Sequence, residues 1–144
     1  MIRGSIARRT TNGVDASAAY ELIAPPVRGA WLRELLVTLA AATASTYGLG
    51  RPAAKGVAPT TPVRLLNESG GDPMAVESTT AIAWTTTAPT VPAQFFRRVS
   101  FPATVSSSIL WVFVNGLYIP GGETLVLWNL ATNGVVDVTA VVDQ

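Results

Sequence analysis

The chain has 144 residues, of which 13% are charged and 49% apolar, and its net charge is +1. That length suits one domain, able to bury roughly 70% of its unfolded surface. Cysteine and histidine are both absent, which excludes disulfides, thiolate nucleophiles, cysteine zinc sites and the usual general base near neutral pH.

Residues 1 to 15 (MIRGSIARRTTNGVD) are polar and basic, with Arg3, Arg8 and Arg9. They read as an extended N-terminal arm, either a frayed end or a grip on a neighbouring subunit. They hold no apolar core of signal-peptide length. Apolar runs elsewhere fall short of the roughly 18 residues of a membrane helix, so no membrane partner is expected. Residues 16 to 144 read as a single domain.

Ala18 to Ala24 reads as a strand stopped by Pro25-Pro26, because proline cannot donate to a sheet ladder. Gly29 to Thr43 fits two patterns. Leu32, Leu35, Leu36 and Leu39 have helical spacing. As a strand, Trp31, Arg33, Leu35, Val37 and Leu39 share one face. Its neighbours are strand-like, which favours a strand. Tyr47 to Ala54 reads as a turn-rich corner, with its glycines in a loop or bulge. Val63 to Leu66 is a short strand. Asn67 to Glu77 is a polar loop whose Glu68, Asp72 and Glu77 lack the dense alternation of a calcium loop.

Thr79 to Thr86 alternates as a strand. Ala88 to Pro92 is a proline corner that echoes Ala58 to Pro62. Gln94 to Phe101 reads as a strand, and the adjacent Arg97 and Arg98 must face opposite sides of it. The last quarter, Ile109 to Asp143, is a series of apolar runs divided by Asn115-Gly116, Pro120-Gly121-Gly122 and Asn133-Gly134. Asn-Gly tolerates the positive φ of tight reversals, so a meander of antiparallel strands is expected here. Leu125 and Leu127 point one way, Val126 and Trp128 the other; with both faces apolar, this strand should be central. In the final strand Val136, Val138, Ala140 and Val142 share an inward face, with Asp137 and Thr139 opposite.

The sum is an all-β chain of eight to ten short strands, an antiparallel β-sandwich with a jelly roll as its expected form. No catalytic set, metal site or cofactor site is legible. Ser106-Ser107-Ser108 has no base to activate it, and no local spacing pairs the nine carboxylates across a cleft. The four tryptophans lie in strand-like runs and read as core or contact residues, with a carbohydrate platform requiring some of them exposed. A charge content about half the roughly 25% of ordinary soluble domains favours a surface partly covered by partners over a Thr/Ser-rich β-protein kept soluble by its hydroxyls. Nine Arg against one Lys suits planar pairing at protein contacts and fits GC-rich coding equally well; Arg3, Arg8, Arg9, Arg97 and Arg98 are the candidate partner-contact residues. A net charge of +1 gives no basis for nucleic acid as a partner.

The stretch Leu117-Tyr118-Ile119-Pro120-Gly121-Gly122-Glu123-Thr124-Leu125-Val126-Leu127-Trp128-Asn129, with the ending Val135 to Asp143, resembles the C-terminal strands of small β-sandwich proteins of tailed-bacteriophage virions. Ala40 to Pro52 has the same character. That resemblance covers about half the chain and carries no invariant chemical motif. It implies a non-enzymatic structural protein of the virion, assembled in the host cytoplasm. The first expectation is a capsid decoration or cement subunit, homotrimeric and bound to the major capsid protein. The alternative is a tail- or fibre-associated module binding a carbohydrate or receptor.

Overall fold

The structure is a computed structural model that describes residues 1–11, 17–70 and 76–144. Strands β1 (Arg3–Arg9), β2 (Ser17–Ile23), β3 (Ala30–Leu39) and β4 (Ser45–Gly50) come first. Five short strands follow: β5 (Val57–Pro59), β6 (Val63–Arg64), β7 (Leu66–Asn67), β8 (Thr79–Ala81) and β9 (Trp84–Thr87). The chain then runs through β10 (Arg97–Phe101), β11 (Ser108–Ile119), β12 (Thr124–Ala131) and β13 (Val136–Asp143). No helix occurs among the described residues.

Two large sheets pack together. The front sheet has the order β11-β3-β13-β1-β7 and the back sheet β10-β4-β12-β2-β8-β6. All the ladders are antiparallel. The pairing is nested: β1 with β13, β2 with β12, β3 with β11 and β4 with β10. Rolling that long ribbon joins β3 to β13 and β4 to β12. The result is the expected jelly roll, a double-sheet antiparallel scheme built from two Greek keys. The five short strands of 57–87 bring the total to thirteen, above the eight to ten expected.

The core lies between the sheets. Leu35, Val37 and Leu39 of β3 and Val136, Val138, Ala140 and Val142 of β13 enter it from the front. Tyr20, Leu22, Tyr47, Leu49, Leu125 and Leu127 enter from the back. A fully buried side chain of this size contributes about 1.5–3 kcal/mol. Gly29–Thr43 is thus a strand over β3, but its faces differ from simple alternation. Leu32 is buried with Leu35, while Arg33 has no register partner in either flanking ladder. Arg33 is the extra residue of a bulge, and it shifts the phase of everything before it.

Several expected boundaries move, each for a physical reason. The last quarter is not a meander. β11 and β13 both pair with β3 in the front sheet, and β12 lies in the back sheet. The turns after β11 and β12 therefore carry the chain across the sandwich. Asn115-Gly116 does not reverse the chain. Val112 pairs with Glu34 and Leu117 with Leu32, so Phe113 to Gly116 bulge out of β11 opposite Arg33 alone. Gly116 supplies the left-handed φ of 76° that this bulge needs.

The corner expected at Tyr47–Ala54 is strand β4 as far as Gly50. Its glycines make room instead of turning: a Cβ on Gly48 would stand 2.8 Å from Cδ1 of Phe95. The segment Val63–Leu66 splits around buried Leu65 into β6 in the back sheet and β7 in the front sheet. Thr79–Thr86 likewise breaks into β8 and β9, and β9 leaves the back sheet to pair with β5. Residues 3–9 of the arm form β1, held between β13 and β7 within the front sheet. Residues 12–15 lie outside the described residues.

Candidate interaction surface

The two sheets differ in what covers their outer sides. On the back sheet, Val126 and Trp128 point outward yet are fully buried. The β5–β9 ladder and residues 94–96 lie on this side of the sheet. Phe95 packs edge-on against Trp128 with ring centroids 5.9 Å apart, and Phe96 N–H donates to the Leu49 carbonyl at 2.8 Å. β12 is central and covered on both faces, as its composition implied.

Among the described residues no such cover lies over the outer side of the front sheet. The register lays it out in rows. One row runs Leu66–Ser5–Val141–Glu34–Val112, and the next runs Ala7–Thr139–Leu36–Leu110. Leu110 and Val112 are each 51% exposed, Leu66 is 68% and Val114, on the bulge, 86%. Apolar side chains thus lie open along edge strand β11, with Leu36 and Val141 half-buried beside them and Glu34 among them, on a sheet whose other side is core. Scattered exposed apolar residues are ordinary; contiguous ones mark contact sites.

Ion pairs close both ends of these rows. At one end the Arg9 guanidinium grips Asp137 with two bonds of 2.8 and 2.9 Å. At the other, Arg3 donates to both oxygens of Asp143 at 2.7 and 3.0 Å, and Arg33 adds a third bond of 2.7 Å. The side-chain hydrogen bond from Arg3 is the main reason that the Asp143 carboxyl sits below its ordinary pKa, with Arg33 assisting. Arg9 lowers Asp137 in the same way. Beside the Asp143 cluster, Trp31 and Tyr118 pack with centroids 4.6 Å apart and ring planes tilted by 44°.

The five arginines singled out from the sequence fall in three places. Arg3 and Arg9 rim this open face. Arg8 points inward beside buried Val138 and donates to the Thr80 carbonyl at 2.9 Å, bridging the sheets. Arg97 and Arg98 lie on edge strand β10. Arg97 stacks over Phe113 at 5.1 Å and Arg98 over Phe95 at 5.6 Å, on opposite sides of the strand. Leu110, Val112 and Val114 were not among the candidates. Their signal was the apolar character of both faces of β11, which turns out to be an edge strand.

Two shallow recesses remain. One, of about 460 Å³, is lined by Met1, Arg3, Glu68, Ser69 and Asp143. The other, of about 210 Å³, is lined by Arg51, Gln94, Phe95 and Phe96. No group of three or more metal-ligating side chains gathers among the described residues. Asp72 of the loop weighed for calcium lies outside them. Among the described residues no helix is long and apolar enough to cross a membrane. The chain matches no family model, no curated protein and no solved structure.

Proposed function

We propose that the chain is a non-enzymatic structural subunit of a tailed-bacteriophage virion, a decoration or cement protein of the capsid. Its partners in this reading are further copies of itself, three by the phage resemblance, and the major capsid protein. The observation that carries it is the front sheet's open face, with exposed Leu110, Val112 and Val114 along β11 and arginine–carboxylate pairs beside them. That is the anatomy of a protein contact. The low charge content and the jelly roll are consistent with such a role, and the sequence resemblance gives it its setting. Gradient-purified particles from cells carrying this gene provide the test. Mass spectrometry should find the chain in many copies per particle; particles without it would overturn the reading.

A second reading, a tail- or fibre-associated module binding a carbohydrate or receptor, is favoured by one feature. The Trp31–Tyr118 pair lies on the same open face, with Tyr118 41% exposed. Aromatic faces of this kind suit sugar rings. A glycan array should then light up for the protein and go dark for Trp31→Ala. A blank array for the unaltered chain would end this reading.

A further inference from the structure

We infer that the β10 edge of the back sheet takes an extended acidic segment of another polypeptide, added as a further strand and held by Arg51, Arg97 and Arg98. The inference deepens the structural-subunit reading by naming the chemistry of a partner. It rests on that reading only in taking the chain to work by contact.

The open position comes from the topology. β10 ends the back sheet, and β4 is its one neighbour in the ladder. Its outer backbone groups therefore have no strand partner among the described residues, which is the arrangement that strand addition uses.

The side chains form a cluster of arginines laid on aromatic rings. Arg51 lies over Phe96 at 5.4 Å, Arg97 over Phe113 at 5.1 Å and Arg98 over Phe95 at 5.6 Å. Such contacts occur about once in 70–80 residues, so three on one flank set it apart. Two of these arginines are also tied to backbone. Arg51 donates to the Tyr118 carbonyl and Arg97 to the Phe96 carbonyl, both at 2.8 Å. All three are exposed. A guanidinium flat on a ring is held in place while its remaining N–H groups stay free for a carboxylate.

The charge names the occupant. None of the three arginines has a carboxylate partner among the described residues. Asp137 and Asp143 are taken by Arg3, Arg9 and Arg33, and Glu21 is bonded to Trp84. Glu34 and Glu68 act on Arg3. Glu77 precedes β8, four strands from β10. Glu123 follows the Gly122 carbonyl, which Lys55 holds. Asp15 and Asp72 lie outside the described residues.

A second copy joined at this edge would bring four arginines onto one short ladder, a common guard against self-pairing. A nucleic acid needs a longer run of cations to gain from its phosphates. An acidic polypeptide gains twice, because its main chain extends the ladder while its carboxylates meet the guanidinium groups. Arg97 and Arg98 face opposite sides of β10, and residues directly opposite in a ladder share a face. The segment that fits therefore carries two consecutive acidic residues, one for each arginine.

Fluorescence anisotropy tests this with a labelled peptide of alternating Val and Thr around a central Glu-Glu pair. The peptide should bind, and its Gln-Gln counterpart should bind at least about tenfold more weakly. Arg97→Gln and Arg98→Gln should each weaken the Glu-Glu peptide. Both side chains are exposed, so the variants should keep the wild-type fold by circular dichroism. Binding should slow hydrogen exchange at the β10 amides. N-methylation of alternate peptide residues should abolish it, since the added strand then lacks its donors.

No binding up to about 1 mM peptide overturns the inference, as does equal affinity for the Gln-Gln peptide. A thymidine oligonucleotide that binds as tightly as the Glu-Glu peptide also overturns it, and so does an N-methylated peptide that binds unimpaired. The two proposals fail separately. A chain found on particles that ignores the peptide sinks this inference alone. A chain that binds the peptide yet is missing from particles sinks the virion reading alone.

Discussion

Trp84 donates its indole N–H to the Glu21 carboxylate at 2.6 Å, and Gly56 N–H approaches the other oxygen at 3.2 Å. Glu21 is 1% exposed on the outer side of β2. A carboxylate so placed must be hydrogen-bonded, or its burial is costly. These two bonds fasten the β5–β9 ladder over the back sheet. Trp84→Phe should lower stability by about 1.5–3 kcal/mol, the range for a hydrogen bond to a charged group. Urea unfolding measures the loss, and dye binding should rise as Val126 and Trp128 are uncovered. An unchanged urea midpoint would mean that the ladder is held by packing alone.

Acid should weaken the fold through the open face. Asp137 and Asp143 have pKa values lowered by their arginine partners. A carboxylate lowered in the folded state contributes stability above its unfolded pKa, near 3.9, and that contribution fades as pH falls through the folded value. The melting temperature should therefore hold near neutrality and drop below about pH 4. Asp143→Asn should melt lower than wild type at pH 7 and lose less on acidification. Parallel melting curves for the two proteins from pH 7 to pH 3 would refute the assignment.

The two sides of the front and back sheets should respond differently to truncation. Leu127 is fully buried between the sheets. Leu127→Ala should cost about 2–5 kcal/mol through lost contact and the cavity left behind. Val112→Thr, on the open face, should shift the stability of the isolated chain by no more than about 0.5 kcal/mol. Guanidinium titrations of both at low protein concentration check this.

Gly116 should resist substitution. Its φ is 76°, and an added Cβ would stand 3.2 Å from the Trp31 side chain. Gly116→Ala should cost about 1 kcal/mol or more from backbone strain. It should also disturb the Trp31–Tyr118 pair, visible as a change in near-ultraviolet circular dichroism. An alanine variant as stable as wild type would show that the bulge can relax.

The all-β class and the inward faces of β12 and β13 were legible because period-two alternation is a local property. Val136, Val138, Ala140 and Val142 announce their face with no knowledge of the partner strand. The strand pairing was less legible. β13 joins β1 and β3, whose partners lie about a chain length away, so neighbouring apolar runs looked like a meander. Asn115-Gly116 misled for a related reason, since a left-handed residue serves a bulge as readily as a hairpin. Gly48 read as a corner because its role, admitting Phe95, involves a residue far along the sequence. The open face was half visible. Arg3 and Arg9 could be named from composition, but pairing them with Asp143 and Asp137 required the β1–β13 register. Leu110 and Val112 could not be told from core until β11 proved to be an edge.

The placement of β13 has a consequence for how the protein comes into being. It sits between β3 and β1, and Arg3 finds Asp143 only across 140 positions of sequence. Until that final strand leaves the ribosome, β3 and β1 have no common neighbour and their apolar sides stay wet. Contacts so distant along the chain make for slow folding and an exposed interval prone to misassembly. Chains that lack β13 should therefore clump or be degraded.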